Sequence, residues 1–136
     1  MKNVIKLSLA GFLCIFLFSC NKERTIEDEL KEAAANMNKI GPQTFNNGIR
    51  LDSVSAEGSK SFKYNYTLLQ DTKENVTEAE INDFKKEAKE SAVDAVKTSP
   101  DMQMFRENDI TLKYVYYDKN GNLTADFSIS PAEYNK

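Results

Sequence analysis

Few residues in this chain of 136 could carry catalytic or metal chemistry. Histidine is absent, and both cysteines, Cys14 and Cys20, fall near the start of the chain. Histidine performs most acid–base catalysis near neutral pH, and histidine and cysteine are the usual zinc ligands. We therefore expect no catalytic residue of these types, no metal site and no cofactor.

Carboxylates are the remaining candidates, because two carboxyl groups with different pKa values can act as acid and base in a hydrolytic reaction. Four acids recur along one stretch, at Asp83, Glu87, Glu90 and Asp94, but lysines alternate with them. Alternating charges are typical of a solvated helix face. The pattern favours a polar surface over a catalytic pair.

A second polar pattern, Asp118, Asn120 and Asn122, has the spacing of the first three ligands of a calcium-binding loop. Leu123 stands where that loop needs glycine, and Ile129 stands where it needs a bidentate glutamate. Asparagine and aspartate are also typical of tight turns, where they tolerate a positive φ. We expect a hairpin turn here and no calcium site.

Aromatic residues suggest a core and, on the other side of it, a binding surface. Tyr64, Tyr66, Tyr114 and Tyr116 occupy alternating apolar positions, which predicts an aromatic core layer. The opposite face of the same strands mixes apolar and basic side chains: Arg50, Lys63, Lys113, Val115 and Tyr117. Such a face could engage a protein or an acidic polymer, and a plain solvated sheet face is the alternative.

Two amphipathic helices are expected to support these strands. Thr25 can cap the first helix and Gly41-Pro42 can end it, while Thr77 and Glu80 form a capping-box signature at the start of the second. Apolar residues recur at helical spacing. The predicted inward residues are Ile26, Leu30, Ala33, Met37 and Ile40 in the first helix, and Ile81, Phe84, Ala88, Ala92, Ala95 and Val96 in the second.

The first β-hairpin is predicted over residues 49–69, where apolar and polar residues alternate. If Gly58-Ser59 forms a two-residue loop, Ile49 lies opposite Leu68 and the apolar faces of the two strands coincide. The same register places Val54 on the outer, polar face.

Residues 110–129 predict a second hairpin, since Asn120-Gly121 favours a type I′ turn. With a two-residue loop, Tyr114 pairs with Phe127. A three-residue loop would place Tyr114 opposite Asp126, so we reject it. The element order is then helix, hairpin, helix, hairpin, which predicts a two-layer α+β domain over residues 25–136, with a four-stranded antiparallel sheet and both helices on one face.

The start of the chain has the features of an export signal. Lys2 and Lys6 precede an apolar run from Leu7 to Phe18, which is too short to cross a bilayer as a helix. The motif that follows, Leu17-Phe18-Ser19-Cys20, resembles the lipobox of bacterial lipoproteins. An ordinary cleaved signal peptide or an uncleaved anchor, with an incidental Cys20, is the alternative.

The lipobox resemblance implies that Cys20 carries diacylglycerol and becomes the acylated, palmitate-bearing first residue after residues 1–19 are removed. Residues 20–24 are then the lipidated N-terminus and a short tether. Asn21 resembles the signal that sends enteric lipoproteins to the outer membrane rather than the inner one, while Lys22-Glu23 matches part of a surface-export signal of Bacteroidetes lipoproteins. The periplasmic side and the cell surface both stay open.

The mature chain would carry 21 acids and, without Lys2 and Lys6, 16 bases, a net charge of −5. A binder of nucleic acid needs a basic face, so nucleic acid is not an expected partner. The chain is similar to the small, mostly uncharacterised lipoproteins of Gram-negative envelopes. We expect a non-enzymatic binding or assembly module that binds an envelope protein; the alternatives are an immunity protein or periplasmic inhibitor and, less favoured, a cell-wall or glycan hydrolase.

Overall fold

The computed structural model describes residues 23–136, so the predicted signal peptide, lipobox and lipidated Cys20 lie outside the described residues. The helices are α1 (Ile26–Ile40), α2 (Glu78–Thr98), α3 (Gln103–Glu107) and α4 (Pro131–Tyr134). The strands are β1 (Gln43–Thr44), β2 (Ile49–Ala56), β3 (Ser61–Leu68), β4 (Thr111–Asp118) and β5 (Leu123–Ile129), and 3₁₀ turns occur at Lys73–Asn75 and Pro100–Met102. From residue 23 onward, no helix combines the length and the apolar content that a bilayer crossing requires.

Both long helices begin where the sequence predicts. Thr77 Oγ1 accepts the backbone N–H of Glu80 at 3.2 Å, and the Glu80 carboxylate accepts the backbone N–H of Thr77 at 2.7 Å. Thr25 and Asp28 form the same reciprocal pair at the start of α1. Each box satisfies backbone donors that the first turn of a helix leaves free, which fixes the helix boundary locally.

The α+β class is confirmed, but the predicted four-stranded antiparallel sheet is wrong. Five strands lie in the order β1-β2-β3-β4-β5, and the central pair, β3 and β4, is parallel. The chain between these strands contains α2, which carries it back to the end of the sheet where β3 began. A helical crossover of this kind joins parallel strands, whereas a tight turn joins antiparallel ones.

The first hairpin keeps the predicted pairing at its open end and changes it near the turn. Glu57 N donates to Ser61 O at 2.8 Å, so the loop has three residues rather than two. A β-bulge at Asp52 compensates for the extra residue. Beyond the bulge, Val54 pairs with Tyr64 and is only 3% exposed, so the prediction that Val54 lies on the outer face is wrong.

The second hairpin, like the first, combines a three-residue loop with a β-bulge. Tyr114 pairs with Phe127 as predicted. The loop nevertheless has three residues, because Asp118 N donates to Asn122 O at 2.8 Å, and only Gly121 within it has a positive φ. The predicted type I′ turn is therefore wrong, since that turn needs two such residues. A bulge on β5 restores the pairing that a three-residue loop alone would have shifted.

Asp118 holds this turn against the rest of the molecule. Its buried carboxylate accepts the backbone N–H groups of Asn120 and Asn122 at 2.8 Å each, and that of Lys73 at 2.9 Å. Burial opposes ionisation of this carboxyl group, but the hydrogen bonds from Lys73, Asn122 and Asn120 outweigh it and lower the pKa to about 2. The charged carboxylate thus serves as an acceptor that joins two loops.

The core lies between the aromatic face of the sheet and the helices. Its buried side chains include Leu30 and Ala34 of α1, Val96 of α2, and Val54, Phe62, Leu112, Ala125 and Ile129 of the sheet. Two residues predicted to face inward do not: Ile40 is 71% exposed and Ala95 is also exposed. Ala95 instead lines an open cleft, described below.

Ile40 is exposed because α1 reaches the margin of the sheet before it ends. Asn38 Nδ2 donates to Val54 O at 2.8 Å, and Asn38 Oδ1 accepts Val54 N–H at 2.9 Å. These two bonds occupy the edge of β2 beyond the two-residue strand β1. The side-chain amide thus pairs with an edge that would otherwise offer free backbone groups to another strand.

Candidate functional site

Four tyrosine rings form the floor of a cleft on the helix-bearing face of the sheet. The parallel register of β3 and β4 places Tyr64 beside Tyr114 and Tyr66 beside Tyr116. The ring centroids of these pairs are 5.1 and 4.9 Å apart, and the ring planes differ by 12° in both. Because the ring faces stack on one another, a ligand in the cleft meets mainly ring edges and hydroxyl groups.

Helix α2 forms one wall of this cleft, which has a volume of about 920 Å³. Near the start of α2, Phe84 packs edge-on against Tyr116, with the ring centroids 4.9 Å apart. Further along the helix the residues that line the cleft are small: Ala88, Ser91, Ala92 and Ala95. Side chains of this size leave the space above the tyrosines unfilled. Apolar residues from other elements complete the lining: Ile49, Leu68, Val76 and Met102.

The hydroxyl groups of the floor have no protein partner. Tyr64, Tyr114 and Tyr116 are each 7% exposed, yet within residues 23–136 none of these hydroxyls, nor that of Tyr66, forms a hydrogen bond. In the same part of the chain, the one side-chain polar atom both enclosed and unpartnered is Ser61 Oγ, so the tyrosine hydroxyls retain access to the cleft. They are available to bond with water or with a ligand.

These phenols stay neutral across the physiological pH range. Burial raises the pKa of Tyr66 to about 12, and burial raises the pKa values of Tyr64, Tyr114 and Tyr116 further. A neutral phenol both donates and accepts a hydrogen bond. The floor therefore offers polar contacts without carrying charge.

The rim of the cleft is acidic. Among residues 23–136, every charged side chain that lines the cleft is a carboxylate: Asp71, Glu80 or Glu87. Glu80 is committed to the N-terminal capping box of α2. Asp71 and Glu87 are exposed and have no ion-pair partner within the described residues. The site thus combines an apolar interior, uncharged hydroxyl groups and negative charge at its mouth.

The free state of the floor hydroxyls predicts a contrast between two tyrosine-to-phenylalanine replacements. Tyr134 OH donates to Ile110 O at 2.7 Å and thereby attaches α4 to the core, so Tyr134→Phe should lower the free energy of unfolding by about 1–3 kcal/mol. Tyr114→Phe removes a hydroxyl without a protein partner and should change it by less than about 0.5 kcal/mol. Urea denaturation of both variants measures the difference, and an equal loss would contradict the assignment of the floor.

The five residues of the predicted binding face do lie together on the opposite side of the sheet. Arg50 and Tyr117 both neighbour Thr67, Lys63 neighbours Lys113, and Val115 neighbours Asn65. The basic groups are already paired within the protein. Glu57 contacts Lys63 Nζ at 3.0 Å and Lys113 Nζ at 2.5 Å, and Arg50 Nε contacts Asp52 at 2.5 Å.

These ion pairs reduce the basic character that the sequence suggested for this face. The hydrogen bonds from Lys113 and Lys63 lower the pKa of Glu57, so Glu57 stays charged and keeps both ammonium groups balanced. An acidic partner would have to displace these contacts before it gained any of its own. The face is a less favourable docking surface than its composition indicated.

The structure does not bring together the four acids of α2 from which a catalytic carboxylate pair could have been drawn. Glu87 lines the cleft, whereas Glu90 and Asp94 line a separate groove beside α4, together with Lys86, Lys89 and Lys97. Lys89 Nζ in that groove lies 2.7 Å from a Glu133 carboxylate oxygen. The alternation of acids and lysines is a surface pattern, as predicted from the sequence.

The cleft itself was not predicted, although the sequence contains a signal for it. The inward stripe of α2 changes from the large Ile81 and Phe84 to Ala88, Ala92 and Ala95. Large tyrosines on the sheet opposite small alanines on the helix could mean close packing or an empty space. Only the distance between α2 and the sheet decides between these outcomes.

Comparison with solved structures shows which folds the chain is similar to. The pilotin AspS of the Vibrio cholerae type II secretion system is 17% identical, with 79% of this chain and 91% of that chain covered and a TM-score of 0.58. The type II secretion pilotin EpsS of Vibrio vulnificus is 12% identical, with 83% and 94% covered and a TM-score of 0.63. A Pseudomonas aeruginosa protein described as secreted is 13% identical, with 79% and 95% covered and a TM-score of 0.58.

At these identities the likeness is one of fold. Curated protein sequences contain no significant match to the chain. A sequence model of one family, described as "Domain of unknown function (DUF8479)", matches residues 24–124. The match spans both long helices, the first hairpin, strand β4 and every residue of the cleft floor and rim, and it ends within β5. The chain therefore belongs to the DUF8479 family.

Proposed function

We propose that this protein is a non-enzymatic binding and assembly module of the bacterial cell envelope. Cys20 carries the lipid that holds it on the membrane after residues 1–19 are removed, residues 20–24 tether it, and residues 25–136 form the binding domain. The outer membrane is the favoured location. The cleft between α2 and the tyrosine floor captures a segment of an envelope protein.

The observation that carries this proposal is the set of unpartnered hydroxyl groups in the cleft. Three tyrosines are more than nine-tenths buried, and their hydroxyls reach an open, largely apolar space. Buried polar groups are normally hydrogen-bonded within the protein, and sites that bind ligands combine apolar walls with a few polar groups left free. A floor of this kind is suited to a polypeptide, which brings both apolar side chains and hydrogen-bonding groups.

The chemistry of the cleft supports binding rather than catalysis. Its floor consists of neutral phenols, and its rim carboxylates are exposed or occupied in a helix cap. Catalytic acids and bases have pKa values near the working pH, and burial raises the pKa values of the floor phenols away from it. The fold likeness supports a role in the envelope, since two of the similar structures are pilotins of type II secretion systems.

Photo-crosslinking in living cells tests the site of capture. A benzophenone amino acid at Ser91, which is exposed and lines the cleft, should crosslink to one envelope protein. The matched position is Asn82, which is exposed on the same helix outside the cleft and should give no such product. The products are identified by mass spectrometry of the purified adducts. Equal products at both positions, or none at Ser91, would contradict the proposal.

The opposite sheet face is the competing surface, and the same cells distinguish it. Tyr117→Ala combined with Lys113→Ala alters that face without touching the cleft. Recovery of the Ser91 adduct should be unchanged in this double variant. Loss of the adduct would indicate that the partner binds the opposite sheet face, with Arg50, Lys63 and Val115, rather than the cleft.

A further inference from the structure

We infer that the segment captured in the cleft is net cationic: a short stretch of an envelope protein that places apolar side chains in the cleft and lysine or arginine side chains at its rim. This inference rests on the proposed function and adds the chemistry of the partner. It is carried by the combination of free hydroxyls, apolar walls and uncompensated negative charge at one place.

The rim carboxylates form no ion pair within residues 23–136. In the sequence, Asp71 precedes and Glu87 follows the capping box formed by Thr77 and Glu80. Both residues line the cleft. Within the described part of the chain, neither has an ion-pair partner, and no lysine or arginine lines the cleft. A cationic side chain at the rim would therefore gain attraction without displacing an existing partner.

Several other acidic groups on the molecule are already in ion pairs. Glu57 lies between two lysines on the opposite sheet face, and Glu133 pairs with Lys89 beside α4. Glu27 pairs with Lys31 along α1. These carboxylates are balanced by ion pairs, whereas Asp71 and Glu87 at the cleft form none within residues 23–136. Complementary charge at such a site gives specificity and speeds association more than it adds affinity.

The cleft interior is large enough for several apolar side chains. A volume of about 920 Å³ lies at the upper end of the range for small-ligand sites, about 300–1,000 Å³, and leaves room for several side chains. Ile49, Leu68 and Phe84 provide apolar contacts. Each floor tyrosine has one ring face covered by its stacked partner, which reduces the ring surface open to a sugar ring or a cation. The carboxylates are then the favoured contacts for cations, and the walls are the favoured contacts for apolar groups.

A peptide probe with one tryptophan tests this inference, because the protein contains none. The probe is a short amphipathic peptide of leucine and lysine, and its matched control replaces every lysine with glutamate. Energy transfer from protein tyrosines to the peptide tryptophan reports binding near the tyrosine floor, with the full lipidated protein in non-ionic detergent and detergent alone as the blank. The lysine peptide should bind at least about tenfold more tightly than the glutamate peptide.

Charge reversal at the rim separates a local effect from the overall negative charge. Asp71→Lys with Glu87→Lys should weaken the lysine peptide by about tenfold. The control pair, Asp83→Lys with Glu90→Lys, changes the net charge by the same amount at exposed positions of α2 outside the cleft, and should change the affinity by less than about twofold. Loss of preference for lysine in high salt should accompany these results.

Each other outcome overturns the inference. Equal weakening by the two variant pairs would show that only the overall charge matters, and equal binding of the two peptides would show that the cleft has no charge preference. If neither peptide binds, the stated partner chemistry is wrong. The Ser91 crosslinking result is independent of all three outcomes, so failure of the cationic inference and failure of the proposed function are separately visible.

Discussion

Replacement of Cys20 by serine is expected to abolish palmitate labelling of the protein completely and to leave residues 1–19 attached. The thiol is the proposed site of acylation, and the lipobox resemblance implies that the lipoprotein signal peptidase cuts the peptide bond before this lipidated cysteine. Two or more acyl chains hold a protein stably on a membrane, because each buried methylene contributes about 0.8 kcal/mol, whereas one chain is marginal. Metabolic labelling and intact mass of the purified protein measure both effects.

The other cysteine of the chain provides the matched control. Cys14 lies inside the apolar run of the predicted signal peptide and should be removed with it. Cys14→Ser should therefore retain full labelling and normal cleavage. Palmitate labelling that survives in the Cys20→Ser variant would refute the lipid anchor and, with it, the proposed attachment to the membrane.

The largest expected loss of stability follows from Phe62→Ala, at about 3–5 kcal/mol. Phe62 is fully buried, and its ring lies 5.1 Å from that of Phe105 and 5.3 Å from that of Tyr64. Truncation would remove these contacts and leave a cavity that the close-packed core cannot fully close. Domains of this kind are stable by only about 5–15 kcal/mol, so about a fifth or more of the total would be lost.

Phe45→Ala is the matched control for the loss of a phenylalanine ring. Phe45 is 46% exposed in the turn before β2, so its truncation should cost less than about 1 kcal/mol. Thermal unfolding measured by circular dichroism should show a decrease of more than about 10 °C for Phe62→Ala and only a few degrees for Phe45→Ala. Similar decreases would mean that the core does not centre on Phe62.

Local sequence features predicted the parts of this fold that depend on neighbouring residues. The Thr77–Glu80 capping box joins residues three apart, so its chemistry is complete within one helical turn. The alternation that puts Tyr64 and Tyr114 on one face follows from the two-residue period of a strand. The strand pairing in the open part of the second hairpin was also predicted, because the apolar faces of the two strands coincide only when Tyr114 pairs with Phe127.

The loop lengths and the β-bulges of both hairpins were not predicted from the local sequence. Apolar pairing near Leu68 required one register, and the three-residue loop at Glu57–Ser61 required another. The bulge at Asp52 reconciles them, and Thr67 Oγ1 donates to the Asp52 carboxylate at 2.6 Å. The bulge leaves one residue unpaired and marks the sequence only as a shift of the apolar alternation, from Ile49 and Leu51 to Val54 and Ala56. A regular strand with one apolar residue on its outer face has the same pattern, so the packing of the whole hairpin decides between the two.

The sequence by itself determined the two long helices, the four long strands, most of their buried faces and the lipobox resemblance, because each of these depends on residues within a turn or two of one another. It did not predict β1 or α4, and it placed Val54, Ile40 and Ala95 on the wrong face. Only the tertiary structure decided that β3 and β4 run parallel, and that their tyrosines stack in two rows beneath α2. It also decided that the alanines of α2 face an open cleft rather than a closed core. Those outcomes depend on how far a helix stands from a sheet, which is set by contacts between residues distant in the chain.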